Sequence, residues 1–275
     1  MFSVVNGVLF HPLPYPDAER IVRITEEHPG GIPMMQGRNR ISGITYTALV
    51  NSSRTLGPIA TFVDGVLTVE LDVPTRLPGA WVTPAVFDIL NVSPLLGRFF
   101  VNDDVRDGAP PVTVLSEGLW RGQFGSDPSA LGRTLTIDQQ PHVIVGVARS
   151  DFAFPTREAR LWIPDAPPTV GPRIYLSDAI ARLQPGASPS DAASESTAIA
   201  RGQACPPGLN ALLGTGGPVE VRVTTLLDDM AAPVRSALLL LLAGMICVLL
   251  MACANVTNLF LSRGIVHGRE LAVRA

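Results

Sequence analysis

Residues 112–147 read VTVLSEGLWRGQFGSDPSALGRTLTIDQQPHVIVGV, and this stretch decides the class of fold. It contains apolar, β-branched runs that favour strands, at residues 112–115, 134–137 and 142–147. After the first run, residues 116–124 predict a helix, because Ser116 is a capping residue directly behind a strand. A strand followed by a helix and further strands is typical of a βαβ-like unit, so the sequence predicts a mixed α+β domain.

The same pattern extends in both directions from this stretch. Further strand-like runs lie at residues 20–25, 66–71, 174–183 and 219–224. Residues 83–90 and 188–201 predict helices, because each begins with a hydroxyl residue, Thr83 or Ser188, followed by proline at the first helical position. We therefore expect a folded domain built of several strand–helix units.

The composition limits the classes of function. The chain has 275 residues, 21 basic residues that are all arginine, and a net charge of −3. Without lysine it cannot carry a conventional Walker A phosphate loop, a kinase lysine or a Schiff base. No basic patch of nucleic-acid type is present, so no nucleic-acid partner is expected. Charged residues make up only 16%, below the roughly 25% of soluble domains, which indicates a part that is not purely soluble.

That part is residues 236–262, an uncharged stretch between Arg235 and Arg263. About 20 apolar residues suffice to cross a hydrocarbon core of about 30 Å, so the stretch predicts a transmembrane helix. Its position near the C-terminus excludes a signal peptide. Arg263, Arg269 and Arg274 follow it, and by the positive-inside rule they place the C-terminus in the cytoplasm and the preceding domain outside.

Two amide residues of this helix, Asn255 and Asn258, are three positions apart and share a face. Amides in lipid favour partners on another helix, so both are candidates for a helix–helix contact; hydration at the cytoplasmic interface is the alternative. At the N-terminus, residues 1–10 read MFSVVNGVLF, which is too short to span a bilayer. We expect residues 1–14 to be the outer end of a transmembrane helix whose start is missing, and a buried segment of the domain is the alternative.

No pattern of residues points to catalysis or metal binding. The histidines lack any metal-binding spacing, and the cysteines form no CxxC pair, which favours buried or incidental thiols. Ser116 lies outside a GxSxG motif, and the adjacent pairs Asp103–Asp104 and Asp228–Asp229 point apart. We therefore expect no metal, no cofactor and no enzymatic activity in this chain.

Several segments follow one another in the order of a known family. They are residues 2–24 (FSVVNGVLFHPLPYPDAERIVRI), 82–104, 112–138, 142–155, 161–164, 181–188 and 249–275 (LLMACANVTNLFLSRGIVHGRELAVRA). As an ordered set they resemble the MacB-like, FtsX-like permeases of ABC transporters. Within these, they most resemble the duplicated orphan permeases of the acidobacterial type.

This resemblance implies an arrangement of domains. Residues 15–235 would form an extracytoplasmic MacB-like periplasmic core domain of two subdomains, one inserted in the other. Residues 76–167 would be inserted between 20–75 and 168–232. Residues 236–262 would be the transmembrane helix, and 263–275 a cytoplasmic juxtamembrane segment.

The resemblance also implies a function and partners. The chain would be a fragment of a permease subunit in the bacterial inner membrane, coupling ATP hydrolysis by a separate ABC ATPase to export or mechanotransmission. Arg269 and Glu270 would be candidate residues for contact with that ATPase. Other permease helices, or a second permease copy, would be partners in the bilayer. A membrane-anchored adaptor domain without transport and an anchored extracytoplasmic enzyme remain the alternatives.

Overall fold

The computed structural model describes residues 15–27, 40–168, 176–203, 218–229 and 240–257. The chain divides into two compact units, residues 12–227 and a unit of residues 1–11 with 228–275. The segments expected at residues 1–14 and 263–275 lie outside the described residues. The fold below is that of the first unit.

The strands and helices follow one another along the chain. The strands are β1 (Ile21–Glu27), β2 (Ile41–Ser42), β3 (Leu56–Glu70), β4 (Pro74–Val82), β5 (Leu96–Gly97), β6 (Val112–Ser116), β7 (Thr134–Ile137), β8 (Gln140–Ala148), β9 (Leu161–Pro164), β10 (Leu176–Leu183) and β11 (Glu220–Thr225). The helices are α1 (Gly43–Ser52), α2 (Ala85–Leu90), α3 (Glu117–Phe124) and α4 (Pro189–Arg201).

Strands β11, β1, β10 and β3 lie side by side in that order, each antiparallel to its neighbour. Strand β10 lies between β1 and β3, which are connected through α1. Strand β1 lies between β10 and β11, which are connected through α4. This is the split βαβ arrangement of a ferredoxin-like sheet. Val22 and Ile24 of β1 form a buried cluster with Leu49 of α1 and Ala192 of α4, so both helices cover the same face.

The second half of β3 belongs to a ring of strands. Starting from β3, the ring runs through β4, β9, β6, β8 and β7 and returns to β3. The return is a single pair, Val69 with Ile137. Beside it, Asp138 N donates to Thr68 O, and Thr68 N donates to the Asp138 carboxylate, both at 2.8 Å. Pairing between the first and last strands makes this half barrel-like.

The path of the chain nests one half in the other. The chain leaves the split βαβ sheet after β3, builds the ring with β4 to β9, and returns at β10. The fold is therefore α+β, as the strand and helix pattern predicted, and one group of elements is inserted in the other, as the family resemblance implied. The residue boundaries of the subdomains stay a prediction, since β3 contributes to both groups.

Capping residues fix the starts of the helices. Ser116 Oγ accepts a hydrogen bond from Leu119 N at 3.2 Å, and Ser188 and Asp191 form a capping box, so the predicted starts of α3 and α4 are confirmed. The predicted cap at Thr83 is wrong. Its hydroxyl donates to Thr61 O at 3.1 Å and accepts from Thr61 N at 2.9 Å, because β3 passes close enough to take up both of its hydrogen-bonding roles.

An apolar helix at Leu240–Thr257 belongs to the second unit. It has 18 residues with a mean hydropathy of 2.3, and none of it is buried by protein. At 1.5 Å per residue it is about 27 Å long, close to the roughly 30 Å of a hydrocarbon core. Among the described residues it alone has the length and composition to cross a membrane, and it lies within the predicted range 236–262.

Candidate functional site at the end of the sheet where the chain enters and leaves

The chain enters and leaves the domain at the same end of the split βαβ sheet. Val22, near the start of β1, pairs with Thr225, the last residue of β11. Ile21 pairs on its other side with Arg182, near the end of β10. Beyond β11, the chain continues through residues 226–239 to the apolar helix. The segment that leads to that helix therefore leaves the domain at this end of the sheet.

The residues that flank β1 and β11 are buried in one apolar cluster. Tyr15 is 6% exposed and Leu226 is 4% exposed. Their cluster also contains Phe87 and Leu90 of α2, together with Phe152 from the loop after β8. Burial raises the pKa of the Tyr15 hydroxyl. The first and last segments of the domain thus share a core with α2.

Aromatic rings give this core a defined packing. Phe87 of α2 stacks on Phe99 with 4.0 Å between ring centroids, and Phe152 meets Trp162 edge-on at 5.0 Å. The Trp162 indole N–H donates to Phe154 O at 2.8 Å. Such aromatic pairs contribute about 0.5–1.5 kcal/mol each beyond the burial of area. This packing therefore stabilises the position of helix α2, although the helix has only six residues.

Arg182 connects three parts of the domain at this end. Its Nε donates to Ile89 O, in the last turn of α2, at 3.1 Å, and its Nη2 donates to the same oxygen. Both Nη atoms donate to Pro16 O at 3.2 Å, and the Asp17 carboxylate lies 3.8 Å away. A cation at the C-terminal carbonyls of a helix is favourable for the helix dipole as well as for hydrogen bonding.

A second group of charges lies on the same face of β10. Asp178 accepts hydrogen bonds from Arg23 Nη2 and, at 3.2 Å, from Arg40 Nε. The Arg23 guanidinium carbon is 6.0 Å from the centroid of the Phe62 ring. Asp178 is buried, and a buried carboxylate without partners would be costly. The paired charges therefore hold β1 and β10 together on the face opposite α1 and α4.

Of the site residues predicted from sequence, the structure places only Asn255. It lies exposed in the last part of the apolar helix. Asn258, Arg269 and Glu270 lie outside the described residues, so their roles stay predictions. Cys247 and Cys253 are exposed free thiols on the same helix. Within the described ranges, no group of His, Cys, Asp or Glu could hold a metal ion.

Sequence reasoning missed Arg182 and Tyr15. A signal for Arg182 was available, because Asp178, Ile180 and Arg182 occupy one face of a predicted strand by alternation. Two charges on a face that also carries isoleucine indicate that the face is partly buried and that its charges have partners. The identity of those partners, at Pro16 and Ile89, depends on long-range folding.

The split βαβ sheet and the ring of strands define a class of protein, an α+β domain that is followed in the same chain by an apolar helix of membrane-spanning length. The family is shown by the family model of the MacB-like periplasmic core domain, which matches residues 1–199. The chain belongs to this family. The MacB-like periplasmic core domain is a non-catalytic extracytoplasmic domain.

Curated relatives carry the same domain in a longer chain. The macrolide export ATP-binding/permease protein MacB of Burkholderia thailandensis is 32% identical over 133 residues, which are 46% of this chain and 19% of that protein. The protein of the same name from Burkholderia pseudomallei is 33% identical over 116 residues, or 40% and 17%. The matched region thus spans about a fifth of these relatives.

Solved structures share the fold. The periplasmic region of MacB from Actinobacillus actinomycetemcomitans has a TM-score of 0.52 and 16% identity, covering 84% of this chain and 95% of that one. A domain of a putative permease protein from Porphyromonas gingivalis has a TM-score of 0.55 and 17% identity, covering 77% of this chain and 92% of that one. The extracellular domain of the ABC-type transporter YknZ from Gram-positive bacteria has a TM-score of 0.50 and 14% identity, covering 73% and 98%.

Proposed function

We propose that the chain is a permease component of a MacB/FtsX-type ABC transport system, with its core domain outside the cytoplasm. The observation that carries this proposal is a MacB-like periplasmic core domain followed, in the same chain, by an exposed apolar helix of membrane-spanning length. ATP would be hydrolysed by a partner ATPase; these 275 residues contain no lysine and therefore no conventional phosphate loop. Within the family, the order of its segments favours the duplicated orphan permeases of the acidobacterial type.

The proposed mechanism is mechanical. The ATPase would act on residues 263–275 at the cytoplasmic side, with Arg269 and Glu270 as contact residues. Asn255 and Asn258 would hold the helix 236–262 against another permease helix or a second permease copy. The helix would then pass its displacement to the end of the sheet where β1 and β11 meet. A transition of this kind needs two discrete arrangements of packed elements, such as hinge or shear motion between the two groups of strands.

The test begins with isolation of the ATPase partner. The chain, tagged and expressed from its native locus with all its natural flanking sequence, is purified from membranes, and the ATPase activity of the co-purified material is measured. We expect an ABC ATPase to co-purify and Glu270→Ala to reduce the permease-dependent hydrolysis several-fold. Glu70→Ala, on an exposed residue of β3, is the matched control and should have no effect.

The outcomes separate the competing functions. Unchanged hydrolysis in Glu270→Ala would remove the coupling role of that residue. A membrane-inserted protein that purifies without any ATPase would contradict the permease proposal and favour an anchored adaptor domain. Hydrolase activity of the core domain itself would favour the anchored enzyme.

A further inference from the structure

We propose that Arg182 is a joint, by which we mean a residue whose hydrogen bonds couple residues 15–20 to helix α2 so that the two segments move together. The inference rests on the proposed function and deepens it by naming the positioning residue at which movement passes from the start of the domain to the inserted ring. It is carried by the hydrogen bonds of one guanidinium group to two backbone segments that are distant in sequence.

The first step is the geometry of the guanidinium. Pro16 O and Ile89 O are both acceptors, and Arg182 donates to each of them through two N–H groups. A planar guanidinium with five donors can hold two carbonyl groups at a fixed spacing, whereas an ammonium acts as a single point charge. The Arg182 side chain is only 18% exposed. Its hydrogen bonds to Ile89 O are partly buried, so water competes weakly for them, whereas those to Pro16 O are exposed.

The second step is the stiffness of residues 15–20. Asp17 has φ of 50°, a left-handed conformation that the surrounding contacts must maintain in a residue other than glycine. A short 3-10 turn, Ala18–Arg20, follows it directly. Arg20 Nη2 donates to Leu183 O at 2.7 Å, and Tyr15 is buried in the core shared with α2. The segment is therefore held by Tyr15 at its start and by Arg20 at its end, and we expect it to move as a rigid unit.

The third step is the connection from α2 to the ring. Helix α2 begins three residues after β4 ends at Val82. Thr83, in that connection, is hydrogen-bonded to the backbone of Thr61 in β3. Phe87 stacks on Phe99 beside β5. A force applied to Ile89 through Arg182 is thus delivered to β4 and to the part of β3 that leads into the ring.

The experiment measures hydrogen exchange in the full chain reconstituted in phospholipid vesicles, without nucleotide. The reporter amides are those of Asn91 and Val92 at the end of α2, which donate to Asp88 O and Phe87 O, respectively. We expect Arg182→Met to speed exchange in residues 15–20 and 86–92 by roughly ten- to a hundredfold, the factor for a hydrogen bond to a charged group. Arg182→Lys should recover part of the protection.

Arg222→Met is the matched control, because Arg222 lies on the same sheet and forms an exposed ion pair with Glu27. Exchange in 15–20 and 86–92 should not change in this variant. If Arg182→Met leaves both segments protected, or loosens β1, β10 and β11 to the same extent, Arg182 is not a joint but at most a general stabiliser of the fold.

A second measurement adds ATP to the chain in complex with its ATPase. In the unaltered protein, ATP should change exchange in both 15–20 and 86–92, whereas in Arg182→Met the change should stop at 15–20. A change that still reaches 86–92 would overturn the joint. If the unaltered protein shows no response to ATP, the proposed function fails, and the nucleotide-free comparison still decides whether Arg182 couples the two segments.

Discussion

Glu195 shows how one side chain can fasten a helix to a loop. It lies on α4 and accepts hydrogen bonds from Ser53 Oγ at 2.8 Å and from the backbone N–H groups of Arg54 and Thr55, both at 2.9 Å. The Thr55 hydroxyl also donates to it. Burial alone would raise the pKa of this carboxyl, but these donors outweigh burial and lower it to about 2. Glu195 therefore ties α4 to the turn between α1 and β3.

The lowered pKa of Glu195 predicts how stability depends on pH. A carboxyl with a pKa of about 2 in the folded state and about 4.3 in the unfolded state stabilises the fold above pH 5. Glu195→Gln should therefore lower the free energy of unfolding by about 1 kcal/mol at pH 7, a value already reduced for solvent screening. As the pH falls from 5 towards 2, the difference from the unaltered chain should shrink.

Thermal unfolding of the full chain at several pH values measures this difference. Glu70→Gln, at an exposed position of β3, is the control and should differ little from the unaltered chain. A pH-independent effect of Glu195→Gln would contradict the role of the ionised carboxylate.

At the scale of the element, β11 is an edge strand whose outer side is covered by side chains of α4. Thr197 Oγ1 accepts a hydrogen bond from Val221 N at 2.9 Å and donates to Val221 O at 3.2 Å. Arg201 Nε donates to Val219 O at 2.9 Å. One threonine thus takes the place of a neighbouring strand at this position. Covering an edge in this way limits pairing with other chains.

Thr197→Val tests this role, because valine has the same shape and cannot form hydrogen bonds. Leaving Val221 N and O without their partner should cost about 1–2 kcal/mol of stability and speed the exchange of the Val221 amide. Thr197→Ser keeps the hydroxyl and should remain within about 0.5 kcal/mol of the unaltered chain. Hydrogen exchange at Val221 reports the local effect; equal exchange in the two variants would show that Thr197 does not protect the edge.

Elements with clear local signals could be predicted from the sequence, and others could not. The strand at 134–137 and the starts of α3 and α4 follow from alternation and capping residues. Strand β4, PTRLPGAWV, was missed because its prolines and glycine indicate a turn. Gly79 is required there since a Cβ atom would lie 2.9 Å from Leu161 O and 2.6 Å from Leu67 Cδ1. Helix α1 was missed because Thr and Tyr favour strands.

At the scale of the whole molecule, pairing between distant segments determines the architecture. The ring closes through Val69 and Ile137, and Arg182 reaches Pro16 over 166 positions of sequence. Neither contact has a local pattern, because alternation shows which face is buried but not which strand lies beside it. The α+β class and the apolar helix could thus be predicted, whereas the contacts of Arg182 required the three-dimensional structure.

The apolar helix gives a prediction for the whole chain. Met245 and Leu249 lie one turn apart in its centre, and both are exposed. An arginine at the centre of a membrane helix costs about 3 kcal/mol, and leucine contributes roughly −0.5 kcal/mol. The double substitution Met245→Arg with Leu249→Arg should therefore cost about 6 kcal/mol, more than the roughly 4 kcal/mol gained from the leucine, isoleucine and valine residues of the helix. We expect the fraction of chain that resists carbonate extraction from membranes to fall strongly.

The matched control places the same two arginines on the domain, at the exposed residues Val66 and Val73. These positions already face solvent, so Val66→Arg with Val73→Arg should leave the membrane-bound fraction unchanged. If both double variants remain equally resistant to extraction, the helix Leu240–Thr257 does not determine membrane insertion, and the anchor must be sought elsewhere in the chain. If only the helix variant is released, this helix anchors the chain in the membrane, as the proposed permease requires.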